Sequence, residues 1–366
     1  MSRLRAKAVV PYRGSKAAGR PSARVSVVIP TYNYGHFLPS SVGSVLAQEG
    51  VETEVVVVND SSTDDTLAVA EELARGDSRV VVVGNPVNHG PCLAFNDGLE
   101  RATGEFVVRL DADDLLTPGS LDRAVRVFDA YPEVGLVYGR PLHFHTEEPP
   151  SPRTEITGWT VWSGEDWLAE RCRTGVNCIT TPEAVVRASV YAEVGPWDTR
   201  MRYACDMEAW MRVSAVSDVA RIDGAVQALH REHAASLSVN AGSGRLLDLR
   251  ERQVAFDAVF EGPGGKLPRA TELHDAARRA LAVEALEACY HAYDRKLTEV
   301  EPIDEYVAFA LDVYPQAREL KDWRRLAARR RVGAKLSPVV PTFFAWEVYR
   351  RLRNDAHHRR WVEQGI

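Results

Sequence analysis

Three acidic residues in the run Asp111-Ala112-Asp113-Asp114 follow an apolar segment of the sequence. Residues two apart on a strand point to one face, with Cα atoms roughly 6.5–7 Å apart. Carboxylates at that spacing repel each other in a half-buried site unless a cation lies beside them. Oxygen ligands favour Mg²⁺ or Mn²⁺, which keep waters and bridge substrate phosphates. The run predicts that Asp113 holds a metal and that Asp111 contacts a ribose or sugar; an acidic turn capping the next helix through Asp114 is the alternative.

Four short apolar runs recur along the first third of the chain at nearly regular spacing. The runs are VSVVIP (25–30), EVVVV (54–58), RVVVV (79–83) and EFVVRL (105–110), with helix-like stretches at about 36–48, 63–75 and 90–102 between them. Strands that are apolar on both faces and alternate with helices favour a mostly parallel sheet. Ligands of such sheets bind at the carboxyl ends of the strands. The segments TYN, NDSSTDD and DADD follow the first, second and fourth runs, so we expect them to meet there.

The chain as a whole divides by composition into three regions. The pattern predicts a basic flexible arm over 1–23, an α/β domain over 24–240 and a helical region over 241–366. The stretch 139–160 is rich in Pro, Glu, Thr and His, and it is predicted to be a long loop.

Bulk composition narrows the class of protein. Hydrophobic residues make up 45% and charged residues 26%, as in globular proteins. The formal net charge of −6 argues against nucleic acid as a partner. The five cysteines contain no CxxC pair and favour a reducing cytoplasm over a disulfide framework. The sequence contains neither an apolar run of the ~18 residues that would span a bilayer nor the apolar core of a signal peptide, so a cytoplasmic location is expected.

Three segments in combination resemble the inverting family 2 glycosyltransferases, which have the fold known as GT-A. They are VSVVIPTYNYGHFLPSSVGSVLAQ, VVVVNDSSTDDT and NHGPCLAFNDGLERATGEFVVRLDADD. The resemblance covers about residues 24–240, with a nucleotide-binding half at about 24–115 and an acceptor half at about 116–240. It implies a Rossmann-like, mostly parallel sheet, a nucleotide diphosphate sugar as donor, Mn²⁺ or Mg²⁺ at the DADD run, and inversion at the anomeric carbon.

The resemblance assigns several residues to the donor site. Those expected to line the nucleotide pocket are Pro30, Thr31, Tyr32 and Asn33. Asp60 is expected to accept a hydrogen bond from the base. The chain departs from the family pattern beside it, with Asn59 for the first acid of that stretch and Ser61 for a glycine. Phe95 stands where the family often has an arginine, so that donor contact is either missing or supplied elsewhere, with Arg109 as the candidate.

The acceptor side is assigned to the stretch GPWDTRMRYACDMEAWMR. An inverting transfer needs a carboxylate that takes the proton of the attacking hydroxyl, and the resemblance places Asp206 in that role. Glu208 is the competing base, although two residues along a helix it would face elsewhere. Trp197 is a weaker candidate for contact with an acceptor sugar. In the later segment HREHAASLS, His233 is expected to be a metal ligand or a diphosphate contact, with a surface histidine as the alternative.

Two basic stretches near the C-terminus combine aromatic residues with arginines. They are QARELKDWRRLAARRR (316–331) and PTFFAWEVYRRLRNDAHHRRW (341–361). Helical spacing in the first puts Leu320, Trp323 and Ala327 on one face. Helices of this kind lie on anionic membrane surfaces, so a peripheral membrane contact is one expectation. The other is a helical appendage that packs on the catalytic domain or on a second subunit of a homo-oligomer.

Other functions fit parts of the pattern. A nucleotidyltransferase would need a glycine-rich basic loop after the first strand, where this chain has TYNYGH. The absence of GxGxxG at that position excludes a dinucleotide-binding oxidoreductase. A catalytically silent nucleotide-sugar binding or scaffold protein is the main alternative, although the retained DADD run and Asp206 argue against it. The expected function is transfer of a sugar, from a UDP-sugar by preference, to a hydroxyl of a glycan, lipid-linked or small-molecule acceptor.

Overall fold

A computed structural model describes residues 4–11, 22–233 and 244–365 of the chain. The strands are β1 (Ala8–Pro11), β2 (Arg24–Thr31), β3 (Glu52–Asn59), β4 (Val80–Gly84), β5 (Phe106–Arg109), β6 (Leu115–Leu116), β7 (Val134–Phe144), β8 (Gly158–Trp162), β9 (Val185–Arg187) and β10 (Asp218–Arg231). The helices are α1 (Leu38–Leu46), α2 (Thr66–Gly76), α3 (Pro91–Leu99), α4 (Ser120–Ala130), α5 (Gly164–Thr174), α6 (Ala188–Val194), α7 (Cys205–Ser214), α8 (Gly244–Glu261), α9 (Ala270–Arg295), α10 (Ile303–Val313), α11 (Lys321–Val332) and α12 (Pro341–Gln364). Short 3₁₀ segments lie at Pro263–Lys266, Pro315–Glu319 and Ser337–Val339. The chain forms two compact units, Met1–Leu168 with Ile179–Ala241 and Ala169–Cys178 with Gly242–Ile366.

The first unit is built on a sheet in the order β1-β8-β10-β7-β9-β5-β2-β3-β4, with β6 paired to β10. The neighbouring pairs β5–β2, β2–β3 and β3–β4 are parallel, as the sequence predicts. Alternate side chains of the central strands point to opposite faces of the sheet, and both faces are buried. Val27 and Ile29 join a core that includes residues of α1 and α2, whereas Val28 and Val58 face Gly98 of α3. An added Cβ at Gly98 would overlap both valines, so glycine lets this helix lie close to the sheet.

The other half of the sheet is longer than the sequence pattern predicts. β7 runs parallel to β10, and β8 runs antiparallel to it. Because both strands gain backbone hydrogen bonds from β10, they extend into the stretch 139–160 that was predicted to be a loop. Only residues 145–157 of that stretch lie outside strands.

The predicted flexible arm contains an ordered strand. Residues 8–11 form β1, which pairs antiparallel with β8 at the edge of the sheet. Lys7 adds an ion pair, with its Nζ donating to Asp218 Oδ2 at 2.6 Å. The prediction of a flexible arm is therefore wrong for these residues, because an open sheet edge offers backbone partners to a passing segment. Residues 1–3 and 12–21 lie outside the described part of the chain.

The second unit is helical, and α9 packs against α8, α10, α11 and α12. The segment Ala169–Cys178 belongs to this unit, which the sequence did not predict. α11 buries Leu326 and Arg329, whereas Ala327 of the predicted apolar face is exposed. The guanidinium of Arg329 donates to both carboxylate oxygens of Asp294 at 2.7–2.8 Å, which offsets the cost of burying its charge. Within the described ranges, every helix is too short or too polar to cross a membrane.

Candidate active site

The DADD run lies in a turn after β5 and not on the strand itself. The backbone N–H of Asp114 donates to the carbonyl oxygen of Asp111 at 3.0 Å, which closes the turn. The prediction from strand alternation is therefore wrong in its geometry, although the turn still keeps the carboxylates in one short segment. Asp113 is 9% exposed and Asp114 is fully buried, whereas the side chain of Asp111 is 38% exposed.

Asp114 joins the acidic turn to the end of β10. Its carboxylate accepts the Arg231 N–H at 2.8 Å and lies 3.0 Å from Nδ1 of His230. Burial lowers the pKa of His230, but the hydrogen bond and charge of Asp114 outweigh it and raise that pKa to about 9. Asp114 therefore does not cap the following helix as the alternative had it; it forms a buried ion pair that fixes the turn.

Asp113 contacts His233, the residue predicted to share a metal with it. Nε2 of His233 lies 3.0 Å from Oδ2 of Asp113, and the histidine ring packs against Tyr34 and Phe37. Burial and the charge of Asp111 raise the pKa of Asp113. Burial and the charges of the three nearby carboxylates likewise raise the pKa of Tyr34 to about 12. The fold therefore brings together the two predicted ligands in a site with a surplus of negative charge.

The residues of this site suit a divalent cation that a substrate completes. In the described ranges, no group of three or more His, Cys, Asp or Glu side chains is arranged to hold a metal alone. Mg²⁺ and similar ions are usually bound by one or two protein ligands, with waters and substrate phosphates filling the other positions. A buried carboxylate beside an imidazole, Asp113 with His233, fits that kind of site.

Arg109 is buried between the acidic turn and the acceptor-side helix. Its guanidinium lies 2.9–3.0 Å from Oδ1 of Asp111 and packs over the ring of Trp197 at 4.9 Å. Burial acts to lower the pKa of Arg109, but the charge and hydrogen bond of Asp111, with the charge of Asp206, raise it above the ordinary value. The contact of Arg109 with a donor stays a prediction, since its guanidinium is engaged with Asp111.

The predicted nucleotide-binding residues lie where β2 ends. Pro30 and Thr31 are buried, whereas Tyr32 is 46% exposed. Asn33 adopts a left-handed φ of +59° and ties this loop to the next, with its N–H donating to Ser62 and its Oδ1 accepting from the N–H of Thr63. Among these residues Tyr32 has the side chain most available to a nucleotide, and the contacts themselves stay predictions.

Asp60 organises the loop that follows β4. Its carboxylate, 3% exposed, accepts the backbone N–H groups of His89 and Gly90 at 2.8 Å and the side chain of Asn85 at 3.0 Å. Ser61, which replaces the family's glycine, takes φ +60°, so the turn keeps a conformation that suits glycine. The predicted contact of Asp60 with a base stays a prediction beside this structural role.

The two acceptor-side acids have different surroundings at the start of α7. Asp206 is partly buried, and its Oδ2 accepts the hydroxyl of Thr181 at 3.3 Å. Glu208 is 1% exposed and forms a bidentate pair with Arg212, at 2.7 and 2.9 Å. A carboxylate held in this way is not accessible to an acceptor hydroxyl, so the geometry favours Asp206 over Glu208.

Trp197 is part of the core. It is 2% exposed, packs against Phe95 and Trp210, and donates its Nε1–H to the Tyr191 hydroxyl at 3.2 Å. Asn96 makes two further hydrogen bonds with its backbone, at 2.8 and 2.9 Å. The prediction that Trp197 contacts an acceptor sugar is wrong, because no face of its ring is open to a ligand.

Some residues of the site were not among those predicted from the sequence to act there. Tyr34 lies within two positions of the predicted pocket residues, and His230 lies three before His233, so proximity to known motifs was the available signal. Thr181 had no such signal, because it lies 25 positions before its partner Asp206.

Residues 26–195 match the sequence model of the family described as Glycosyl transferase family 2. An uncharacterized glycosyltransferase of Haemophilus influenzae is 28% identical over 204 residues, which are 54% of this chain and 62% of that protein. An uncharacterized glycosyltransferase of Nostoc sp. is 39% identical over 115 residues, 31% of this chain and 36% of that protein. The GalNAc(5)-diNAcBac-PP-undecaprenol beta-1,3-glucosyltransferase of Campylobacter jejuni is 37% identical over 99 residues, which are 27% of this chain and 32% of that protein. The chain spans less than two thirds of the length of each of these relatives.

Among solved structures, residues 1–349 of S. aureus TarS have a similar fold. The TM-score is 0.58 at 16% identity, over 84% of this chain and 90% of that one. The mixed, mostly parallel sheet with helices and a helical C-terminal region is that of the GT-A transferases, as predicted. Residues 26–195 of the chain therefore form a family 2 glycosyltransferase domain.

Proposed function

We propose that this protein transfers a sugar from a nucleotide diphosphate donor, with UDP-sugars favoured, to a hydroxyl of a glycan, lipid-linked or small-molecule acceptor. The observation that carries the proposal is the buried guanidinium of Arg109. It forms an ion pair with Asp111 of the acidic turn, and the charge of Asp206 at the start of α7 also raises its pKa. The proposed donor-side acid therefore contacts this buried cation, and the proposed acceptor-side acid is near enough for its charge to act on it. An inverting displacement uses acids in two such positions.

In the proposed reaction, Asp206 accepts the proton of the acceptor hydroxyl as its oxygen attacks the anomeric carbon. The bond from that carbon to the diphosphate oxygen breaks, and the nucleotide diphosphate leaves with the bonding electrons. Attack from the side opposite the leaving group inverts the anomeric configuration. Arg109 holds Asp111 in a fixed position during this step, because two of its nitrogens contact one carboxylate oxygen.

Asp113 and His233 are the residues that would hold Mn²⁺ or Mg²⁺. When bound, such an ion neutralises the charge that develops on the departing diphosphate. The surplus of carboxylates supports this role, since burial and the charge of Asp111 already raise the pKa of Asp113. We expect His230 and Asp114 to keep the turn in position through their ion pair.

The test is hydrolysis of nucleotide sugars by water, with no acceptor added. We would incubate the protein with Mn²⁺ and UDP-glucose, UDP-N-acetylglucosamine or GDP-mannose, and follow the released sugar by proton NMR before it mutarotates. An inverting enzyme releases the β-anomer from an α-linked donor. Binding of all three donors without any hydrolysis would instead favour the catalytically silent alternative, and release of the α-anomer would contradict inversion.

We also propose that the protein is located at the cytoplasmic face of a membrane, where α12 contacts anionic lipid. Phe344, Val348 and Leu352 lie four residues apart on this helix and are 64%, 41% and 60% exposed. Exposed Arg351 and Arg359 lie on the same helix, so apolar and cationic side chains occur together as at lipid surfaces. The alternative is that a second copy of the chain packs on these exposed apolar residues. Sedimentation of the protein without lipid would then show a dimer.

A further inference from the structure

The segment before β9 contains a strained residue next to the candidate base. Thr181 has φ +103° and is 6% exposed. A β-branched residue rarely adopts positive φ, because its Cβ crowds the backbone, and such strain persists only where the surroundings enforce it. The segment therefore needs contacts that hold it in this conformation.

Glu183 supplies those contacts. Its Oε1 accepts the backbone N–H of Thr180 at 2.7 Å and the hydroxyl of the same residue at 3.0 Å. The N–H of Ala184 donates to the carbonyl oxygen of Thr181 at 3.0 Å and closes the turn. Because Glu183 is 2% exposed, water does not compete for these hydrogen bonds.

The enforced conformation directs one hydroxyl at Asp206. The Oγ1–H of Thr181 donates to Oδ2 of Asp206 at 3.3 Å, while the N–H of Met207 donates to Oδ1 at 2.6 Å. Each carboxylate oxygen therefore has a protein donor. Two donors on different oxygens restrict rotation of the carboxylate, and both favour its anionic form.

We propose that Thr181 is a positioning residue for Asp206, with Glu183 and Thr180 holding it in place. This inference rests on the proposed role of Asp206 as the base. Thr181 orients the carboxylate and keeps it anionic, and it does not itself contact the reacting atoms.

Thr181→Val is the test, because valine keeps the branched shape and the backbone strain but lacks the hydroxyl. With the nucleotide sugar that the parent hydrolyses fastest, we expect the rate at pH 7 to fall roughly tenfold, equivalent to about 1.4 kcal/mol. The acidic limb of the pH–rate profile should move to higher pH by up to about one unit, since the anion loses a donor. UDP affinity should not change, and Thr181→Ser, which retains the hydroxyl, should restore both rate and profile.

Thr160→Val is the matched control. The hydroxyl of Thr160 donates to Oδ2 of Asp223 at 2.8 Å on the sheet, which is the same kind of bond at a position with no part in the proposed site. It should leave the rate and the acidic limb unchanged. A shifted limb in Thr181→Val but not in Thr160→Val supports the inference.

The outcomes separate this inference from the proposed function. An inactive Asp206→Asn together with a Thr181→Val variant of parental rate and profile would overturn the positioning role alone. An active Asp206→Asn would overturn the base assignment, and the positioning role with it. Should Thr181→Val fail to fold, Thr181→Gly has the same two expectations, because glycine suits positive φ and also lacks the hydroxyl.

Discussion

Asp206→Asn is expected to stop the chemical step while leaving the fold intact. The amide oxygen of asparagine can still accept the hydrogen bond from Thr181 or Met207, but the side chain cannot take a proton. Loss of a positioned base lowers turnover by ~10²–10⁴-fold, about 2.7–5.4 kcal/mol of activation free energy. Removing one charge from the first turn of α7 costs at most about 1 kcal/mol of stability. Donor hydrolysis, the acidic limb of its pH profile and UDP affinity are the measurements, and we expect only UDP affinity to be retained.

The matched change at Glu208 should act on stability instead. Glu208→Gln removes the charge that pairs with buried Arg212, and loss of a buried partner costs up to about 3–5 kcal/mol. Its melting temperature should therefore fall, with turnover per folded molecule near the parent value. Asp166→Asn, at an exposed first-turn acid of α5, is the milder control and should change neither quantity. An Asp206→Asn variant within threefold of the parent, beside a folded but inactive Glu208→Gln, would show that Glu208 is the base.

Three further changes test other parts of the molecule. Asp113→Ala should abolish the Mn²⁺-dependent gain in UDP affinity measured by calorimetry; equal affinity in variant and parent, with and without chelator, would contradict the metal assignment. The double change Phe344→Ser and Leu352→Ser should weaken flotation with anionic liposomes at least roughly tenfold, since each buried side chain contributes about 1.5–3 kcal/mol; a parent that does not float at low salt would contradict membrane contact. Burial raises the pKa of Glu183 to about 7, so the folded state keeps this proton at pH values where the unfolded state has lost it. The free energy of unfolding therefore decreases as the pH rises from roughly 4.5 to 7. Denaturant titrations at pH 5 and pH 8 measure this decrease, and Glu183→Gln should make it smaller by up to about 3 kcal/mol. If the variant and the parent lose the same free energy of unfolding between the two pH values, the raised pKa of Glu183 is contradicted.

The local pattern of apolar residues was sufficient to predict the strands of the nucleotide-binding half and their parallel pairing. The four apolar runs became β2, β3, β4 and β5, all parallel, because continuous apolar segments separated by helices have few other ways to bury both faces. Pattern was insufficient for the DADD run, which looked like the end of a strand and is a turn. It was also insufficient for Trp197, because an aromatic side chain in a sequence does not reveal whether its ring is exposed.

The sequence by itself predicted the resemblance to family 2, the four parallel strands of the nucleotide-binding half and the residues that carry the acids. Only the tertiary structure decided which of them meet. Asp113 and His233 are 120 positions apart and come together because β10 returns beside the acidic turn. Residues 8–11 become a strand because the edge of β8 offers backbone partners. Thr181 reaches Asp206 because Glu183 holds a strained turn. Each of these contacts joins segments whose spacing along the chain is arbitrary, so periodicity and motif, which are local properties, carry no information about them.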